Sequence, residues 1–562
     1  MNNAPIIECV PNFSEGVDLT VIKQITAEIE SVDGVKLLDV DPGKATNRTV
    51  VTFVGHPEPV IEAAFLAIKK AGELIDMSKH KGEHPRMGAT DVCPLIPIAN
   101  ISLEETAAYA HQLAERVGRE LPIPIFMYEA AATQPERKNL AHIRAGEYEG
   151  MADKLQKAEW KPDYGPAKFN PRTGTTAIGA RDFLIAYNVN LNTTSVKRAN
   201  SVAFDVREQG RILREGHPTT GTILKDEKGE PLRQPGMCKS VKAIGWFIEE
   251  YGVAQVSMNL TSIQETPLHV AFDACCKSAE SRGMRVTGSE LVGLVPLSVM
   301  LDAGKYFLQK QERSTGVSDD ELIMIAIKSF GLDELGTFDP RKKIIEYLLE
   351  DAASNPLVRM DLKAFADLTA SESPAPGGGS ISAYAGALGA ALTTMVANLS
   401  AGKSGWEDKY QYFSDFAERG QTLKKSLLNL VDADTAAFNG IMEAFKLPKS
   451  TEEEVKARKL AIKDATRVAI EIPYAVMEQA VQVFELADVM VREGNQNSLS
   501  DAAVGALCAK AAVKGAYLNV RINTKDFDDP EFVKEMLEKA QIISDKADAE
   551  EARIIKFVLD QL

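Results

Sequence analysis

The groups best suited to move protons in this chain fall in two places. His84 stands in the run Lys81-Gly82-Glu83-His84-Pro85-Arg86-Met87-Gly88. Gly82 and Gly88 bracket a loop there, and Pro85 keeps His84 out of helical geometry. An imidazole held this way beside an acidic and a basic neighbour can transfer protons near neutral pH. The plainer reading is a loop histidine with one surface hydrogen bond. In Leu37-Leu38-Asp39-Val40-Asp41, strand alternation puts Asp39 and Asp41 on one face, with Asp41 at the strand end. Asn47-Arg48-Thr49 follows and offers a guanidinium that can bind a carboxylate. A solvated turn with a cap accounts for the same residues.

The second place lies in a region without imidazole. His269 is the last histidine, so chemistry beyond it must use carboxylate, lysine, hydroxyl or backbone groups. Pro376-Gly377-Gly378-Gly379-Ser380 reads as a glycine loop before an alanine-rich helix from Ile381, where bare backbone can approach a ligand. A flexible lead-in to a tightly packed helix is the other reading. Leu423, Leu427, Val431, Phe438 and Ile441 trace one helical face, and Asp434 falls on it. Asp432 lies about 200° around the axis and is expected at the surface. An aspartate on an apolar face resists ionisation, which suits a general acid, or it bonds a neighbouring helix.

The elements that must carry these residues follow from periodicity. Strand-like Ile6 to Val10, helical Asp18 to Ile29, strand-like Val35 to Asp41 and Arg48 to Val54, helical Pro57 to Ile75 and strand-like Thr90 to Ile98 give a βαββαβ order. The order repeats in Phe183 to Leu191, Val196 to Glu208, Lys239 to Phe247, Ala254 to Leu260, Pro267 to Arg282 and Val286 to Val295. Gly210 to Gly236 reads as a flexible excursion or hairpin between them. The expected fold is multidomain: two α+β, βαββαβ-like sandwich subdomains (1–183 and 184–348), a linker (349–360) and an all-α helical bundle (361–562). Ser500-Asp501 is expected to cap a helix running to Val520, with Tyr517, Asn519 and Asn523 either supporting it or facing a ligand.

Composition narrows the class. With 80 acidic against 64 basic residues the formal charge is −16, which disfavours nucleic acid and anionic membrane as partners outside local basic patches. Six cysteines without a C-x-x-C pair read as reduced, mostly buried thiols, and no metal-ligand spacing occurs. Met-Asn-Asn-Ala-Pro lacks the basic n-region of a secretory signal, so a cytoplasmic location is expected. The small-residue run Ile381 to Ser400 reads as a buried helix and not a membrane span.

Several long motifs in order carry a resemblance. Glu8-Cys9-Val10-Pro11-Asn12-Phe13-Ser14-Glu15-Gly16, Asp39-Val40-Asp41, Asn47-Arg48-Thr49-Val50 and the His84 loop closely resemble glutamate formimidoyltransferase. The likeness continues through Ile143-Arg144-Ala145-Gly146-Glu147-Tyr148-Glu149, Arg207-Glu208-Gln209-Gly210 and Leu291-Val292-Gly293-Leu294-Val295-Pro296. With the C-terminal part, the chain resembles the bifunctional formimidoyltransferase-cyclodeaminase family over almost its whole length.

The resemblance implies two reactions of histidine degradation. A formimidoyl group passes from N-formimidoyl-L-glutamate to tetrahydrofolate, and 5-formimidoyltetrahydrofolate then closes to 5,10-methenyltetrahydrofolate with loss of ammonia. It implies catalytic roles for His84 and Asp434, with Asp41 orienting or charging His84. It implies folate binding along Gly165, Pro166, Ala167, Lys168, Phe169, Asn170, Pro171, Arg172, Thr173 and Gly174, and along Gly236, Met237 and Cys238. The excursion before Gly236 is longer than the family pattern. It also implies a cyclodeaminase glycine loop of Gly377, Gly378, Gly379 and Ser380, tetrahydrofolate as cosubstrate and no metal. The partners it implies are small molecules, namely formimidoylglutamate and folate polyglutamates, and a homo-oligomer, an octamer in the best-known relatives. Lys168, Arg172, Lys239 and Lys242 are candidates to hold acidic folate tails. Alternatives are a chain with only one active half, a monofunctional transferase or a methenyltetrahydrofolate cyclohydrolase, and a non-catalytic folate-binding scaffold.

Overall fold

The computed structural model describes residues 4–43, 47–81, 85–216, 220–249, 251–349 and 356–562. The chain forms two compact units, one of residues 1–299 and 330–350, the other of residues 300–329 and 351–562. The first is built on sheets and the second on helices.

The first unit opens with β1 (Ile6–Cys9), β2 (Asn12–Phe13), α1 (Leu19–Glu30), β3 (Val35–Gly43), β4 (Arg48–Gly55), α2 (Pro57–Leu74) and β5 (Thr90–Ala99). Next come α3 (Leu103–Glu120), β6 (Ile125–Glu129), α4 (Leu140–Arg144), α5 (Glu147–Lys154) and β7 (Thr176–Ala180). Local chemistry sets the helix starts: the Asp18 side chain accepts from the Thr20 amide, and Ser102 with Glu105 closes a capping box. The strands form one seven-stranded sheet in which β3, β4, β1 and β5 are successive neighbours, with β7 and β6 added in parallel beyond β5. Ile7, Phe53, Leu95 and Ile178 on one face pack with Ile25, Ala64, Ile68 and Leu113 of α1, α2 and α3.

The second sheet repeats that arrangement. Its elements are β8 (Ile185–Leu191), α6 (Val196–Val206), β13 (Val241–Ile248), β14 (Val253–Leu260), α7 (Leu268–Glu280) and β15 (Val286–Val292), and its order is β13-β14-β8-β15. Read by position in each βαββαβ series, both sheets place the strands in the same order. Between α6 and β13 the excursion is a two-stage hairpin: β9 (Arg211–Ile212) pairs with β12 (Arg233–Gln234), and β10 (Arg214–Glu215) with β11 (Thr222–Ile223).

Two longer helices and two short ones lead out of this region: α8 (Leu297–Lys310), α9 (Asp319–Phe330), α10 (Pro340–Lys343) and α11 (Ile345–Leu349). Residues 300–329 belong with the helical unit, inside the span expected for the second subdomain. Polar bonds fasten them there: the Thr315 amide donates to Ser414 Oγ at 2.9 Å, and Asn398 Nδ2 and Gln421 Nε2 both donate to the Gly316 carbonyl.

The helical unit continues with α12 (Leu362–Thr369), α13 (Gly378–Ala401), α14 (Tyr410–Lys446), α15 (Glu452–Ala480), α16 (Val483–Glu493), α17 (Leu499–Asn523) and α18 (Pro530–Leu559). By length and composition α13 could cross a membrane, but most of it is buried, and α14 and α17 pack along it. Its alanines and glycines let those neighbours approach closely. Leu423, Leu427 and Val431 are buried, as the apolar stripe on α14 requires.

Candidate active sites

Directly paired residues in a sheet share a face, so the register places Asp41 in its surroundings. Asp41 pairs with Val50, Val50 with Asn12, and Asn12 with Val92. Asp39, paired with Thr52, lies on the same side, away from the α1–α3 core. Asp41 is exposed there. Arg48, at the start of the adjoining strand, has its pKa lowered by burial and by Arg144, against the pull of Asp91 and Asp41. Asp91 is fully buried, accepts from the Met87 amide at 2.9 Å and pairs with Arg144.

His84, Gly82 and Glu83 lie outside the described residues. The residues flanking them form a closed frame. Asn47, in the left-handed region at φ 46°, accepts from the Gly16 amide at 3.0 Å and donates to the Lys81 carbonyl at 2.9 Å. Its own carbonyl lies 2.9 Å from His80 Nε2, while Arg86 Nε lies 3.3 Å from His80 Nδ1. A guanidinium nitrogen only donates, so Nδ1 accepts and Nε2–H donates to Asn47. Arg86 is buried and reaches Glu149 with two nitrogens, at 2.7 and 2.9 Å, and Glu147 at 3.1 Å. Glu149 raises the Arg86 pKa, and Arg86 lowers that of Glu149. Lys81, Arg86, Gly146, Glu147 and Glu149 line a cavity of about 490 Å³.

The segment 165–174 is stitched to the same region. Gly174, at φ 65°, has no room for a side chain, because a Cβ there would meet the Met87 carbonyl at 2.2 Å. The Ala89 amide donates to Thr173 O, the Thr175 amide to Met87 O, and the Tyr148 hydroxyl to Pro171 O. Phe169 packs against the Tyr148 ring, and Asn170 Oδ1 accepts from the Arg172 amide. Of the candidate cations, Arg172 is engaged with the Gly72 and Glu73 carbonyls, whereas Lys168, Lys239 and Lys242 are exposed.

Gly236, Met237 and Cys238 run along the end of α6. The Met237 amide donates to Asp205 O at 2.7 Å and the Cys238 amide to Val206 O at 3.0 Å. Burial pushes the Cys238 thiol up to about 11. Met237 lines a second cavity of about 380 Å³ with Arg211, Lys277 and Arg282, where Asp205 pairs with both arginines. Among the described residues no hydrogen bond or ring contact joins these three to the 165–174 segment.

In the helical unit the glycine run is not a loop. Gly377 is the N-cap, and Gly378, Gly379 and Ser380 form the first turn of α13. Asp434 on α14 stands over that turn, its Oδ2 accepting from the Ser380 hydroxyl at 2.9 Å. Burial raises the Asp434 pKa, while the hydroxyl and amide of Ser380 pull it down. Asp432 departs from the expected surface position: it is 9% exposed and accepts from the Leu357 and Val358 amides at 2.8 and 3.2 Å. The chain leading into α12 covers that side of α14, which periodicity within α14 could not reveal. Ser498, not Ser500, is the N-cap of α17, and Asp501 falls in its first turn. Tyr517 bonds Gln541, Asn523 donates to the Ala469 carbonyl and Asn519 to Gly515 O, so each of the three has a helix contact.

Sequence reasoning did not single out His80, Asn47 or the Arg86–Glu149 pair as a frame. Asn47 and His80 lie 33 positions apart and Arg86 and Glu149 63, so no local pattern carries those two bonds. The positive-φ Gly146 before two glutamates is the nearest signal.

Residues 6–181 match the family described as "Formiminotransferase domain, N-terminal subdomain", residues 186–350 "Formiminotransferase domain", and residues 361–542 "Formiminotransferase-cyclodeaminase". The glutamate formimidoyltransferase of Streptococcus pyogenes is 43% identical over 55% of this chain and 95% of its own. The methenyltetrahydrofolate cyclohydrolase of Methylorubrum extorquens is 36% identical over 35% of this chain and 95% of its own. The formimidoyltransferase-cyclodeaminase of Gallus gallus is 44% identical over 95% of each chain. With likeness running through both units, the chain belongs to the formimidoyltransferase-cyclodeaminase family of bifunctional enzymes.

Proposed function

We propose that this chain transfers a formimidoyl group from N-formimidoyl-L-glutamate to tetrahydrofolate and then cyclises the product to 5,10-methenyltetrahydrofolate. In the first step folate N5 bonds to the amidine carbon and the bond from that carbon to the glutamate nitrogen breaks. One proton leaves the attacker and one reaches the leaving amine. His84 exchanges both, with Asp41 orienting or charging it. In the second step N10 bonds to the same carbon and ammonia leaves, with Asp434 exchanging the protons.

The observation that carries the reading is the Asp434 site: a half-buried carboxyl with a raised pKa, bonded to the first turn of a glycine-led helix in a region without histidine. The frame of Asn47, His80 and Arg86 on either side of residues 82–84 supports the first half. The segments 165–174 and 236–238 take the folate in this reading. Lys277, with the two arginines around Asp205 beside Met237, supplies positive charge suited to a folate's glutamate carboxylates. Self-association and a cytoplasmic location belong to the same reading. Ile381, Leu388 and Met395, spaced by seven on α13 and left exposed, support the first.

The test mixes tetrahydrofolate and formimidoylglutamate with the protein and follows methenyl absorbance and ammonia. Methenyl product and ammonia leave the second step together, so glutamate release is followed as well: no product at all favours a folate-binding scaffold, and glutamate without methenyl product and ammonia an active transferase half alone. The cyclohydrolase relative favours a second reading of the helical unit, which hydrolysis of supplied 5,10-methenyltetrahydrofolate would reveal.

A further inference from the structure

Beside Asp434 lies a hydroxyl that the reading above does not use. Thr435 Oγ1 is 3.1 Å from Ser380 Oγ, which in turn is 2.9 Å from Asp434 Oδ2. Ser380 is completely buried and Thr435 is half-buried. A hydroxyl has one proton to give. When Asp434 is ionised, Ser380 gives its proton to the carboxylate, so Thr435 must be the donor to Ser380. When Asp434 takes a proton on Oδ2, that proton points at Ser380 Oγ. Ser380, itself fully buried, must then turn its own proton to Thr435 or leave it without a partner.

We infer that Ser380 and Thr435 form a reversible hydrogen-bond relay, with Thr435 as a positioning residue that lets Asp434 exist in both protonation states during the cyclodeaminase step. This rests on Asp434 being the proton-exchanging group. The bonds that change are hydrogen bonds only: the two hydroxyls rotate, and the single proton gained or lost is the one Asp434 exchanges with substrate. Burial and Ser380 account for the displacement of the Asp434 pKa, and no charged side chain contributes to it. The relay is therefore the adjustable contact.

Two substitutions act in opposite directions. Thr435→Val removes the acceptor that the neutral state needs, while the ionised state keeps the Ser380 proton on Asp434. The neutral state loses more, and the pKa of Asp434 falls. Ser380→Ala removes the donor to the carboxylate, a charge-assisted bond, so the ionised state loses more and the pKa rises. Each shift is about half to one pH unit. Thr435→Ser keeps the hydroxyl and restores the parent value.

The experiment uses the full chain with 5-formimidoyltetrahydrofolate supplied. It records the pH at which the cyclodeaminase kcat falls as the acid form is lost. The protonated carboxyl is read separately by infrared difference spectra against Asp434→Asn. Transferase activity and the melting temperature report folding. The expected result is a limb moved to lower pH in Thr435→Val, to higher pH in Ser380→Ala, and unmoved in Thr435→Ser. Equal limbs in all three, shifts in one direction, or no restoration by Thr435→Ser would overturn the relay. If instead Asp434→Asn keeps the parent rate, the catalytic reading of Asp434 fails, and the infrared titration still decides whether the relay exists.

Discussion

The carboxyl group of Asp434 fills the space that a side chain on Gly379 would need: an added Cβ would stand 2.1 Å from Oδ1 and 2.5 Å from Cγ. Neither the start of α13 nor the middle of α14 can yield without cost. Crowding of this kind takes about 1–3 kcal/mol, relieved here by moving the carboxyl off Ser380. Gly379→Ala is expected to cut methenyl formation from supplied 5-formimidoyltetrahydrofolate at least about tenfold, roughly 1.4 kcal/mol in the barrier, and to leave formimidoyl transfer unchanged. An alanine variant with the parent cyclodeaminase rate would show that Asp434 need not hold this position.

Asp432 and Asp434 sit two residues apart on α14 and do different work. Asp432 accepts the Leu357 and Val358 amides and fixes the chain that leads into α12. Asp432→Ala strands the buried Leu357 donor, at about 1–3 kcal/mol, and releases the more exposed Val358 amide. The expected result is a lower melting temperature with the cyclodeaminase kcat retained below the transition. Asp434→Asn is expected to do the reverse, keeping the melting temperature and losing the reaction. Comparing kcat and melting temperature for both variants checks the division, and a shared phenotype would refute it.

How far the sequence could be read depends on where each residue's partners lie. The alternation of β3 placed Asp39 and Asp41 on one side without knowledge of any other strand, and the spacing of Leu423, Leu427 and Val431 fixed the buried face of α14. Periodicity within α14 puts Asp432 at the surface, because what covers it is chain about 75 positions away. Three glycines are poor helix formers, so the run reads as a loop; the contact that needs bare backbone there, Gly379 against Asp434, appears only once α13 and α14 are packed. Chain order places residues 300–329 with the second sheet, whereas the Thr315–Ser414 and Gly316–Asn398 bonds tie them to helices about 100 and 80 positions on.

His84 is assigned to the transferase half by resemblance, and the bifunctional chain supplies its own control. His84→Ala is expected to lower formimidoyl transfer by about 10²- to 10⁴-fold, the usual contribution of a positioned acid–base group. Ammonia release from supplied 5-formimidoyltetrahydrofolate should persist at the parent rate. Both activities are measured on one preparation, so misfolding would show as a joint loss. Near-normal transfer by the folded variant would remove His84 from the reaction.

Glu8 offers a test that depends on pH and not on turnover. It sits between Val54 and Ile96 in the sheet, 4% exposed, and burial pushes its carboxyl up to about 7 against the pull of Arg181. In the unfolded chain the same carboxyl titrates near 4.5. Between those values the folded state holds a proton that the unfolded state has released, so stability falls as pH rises. The favourable contribution is complete below about pH 4.5 and gone above about pH 7. The gap corresponds to an effect on the order of 3 kcal/mol. Glu8→Gln cannot ionise, so it should melt close to the parent protein near pH 5 and well above it at pH 8. Melting curves of both proteins across that range check the sign, and a difference that does not widen with pH would return Glu8 to the ordinary carboxylate range.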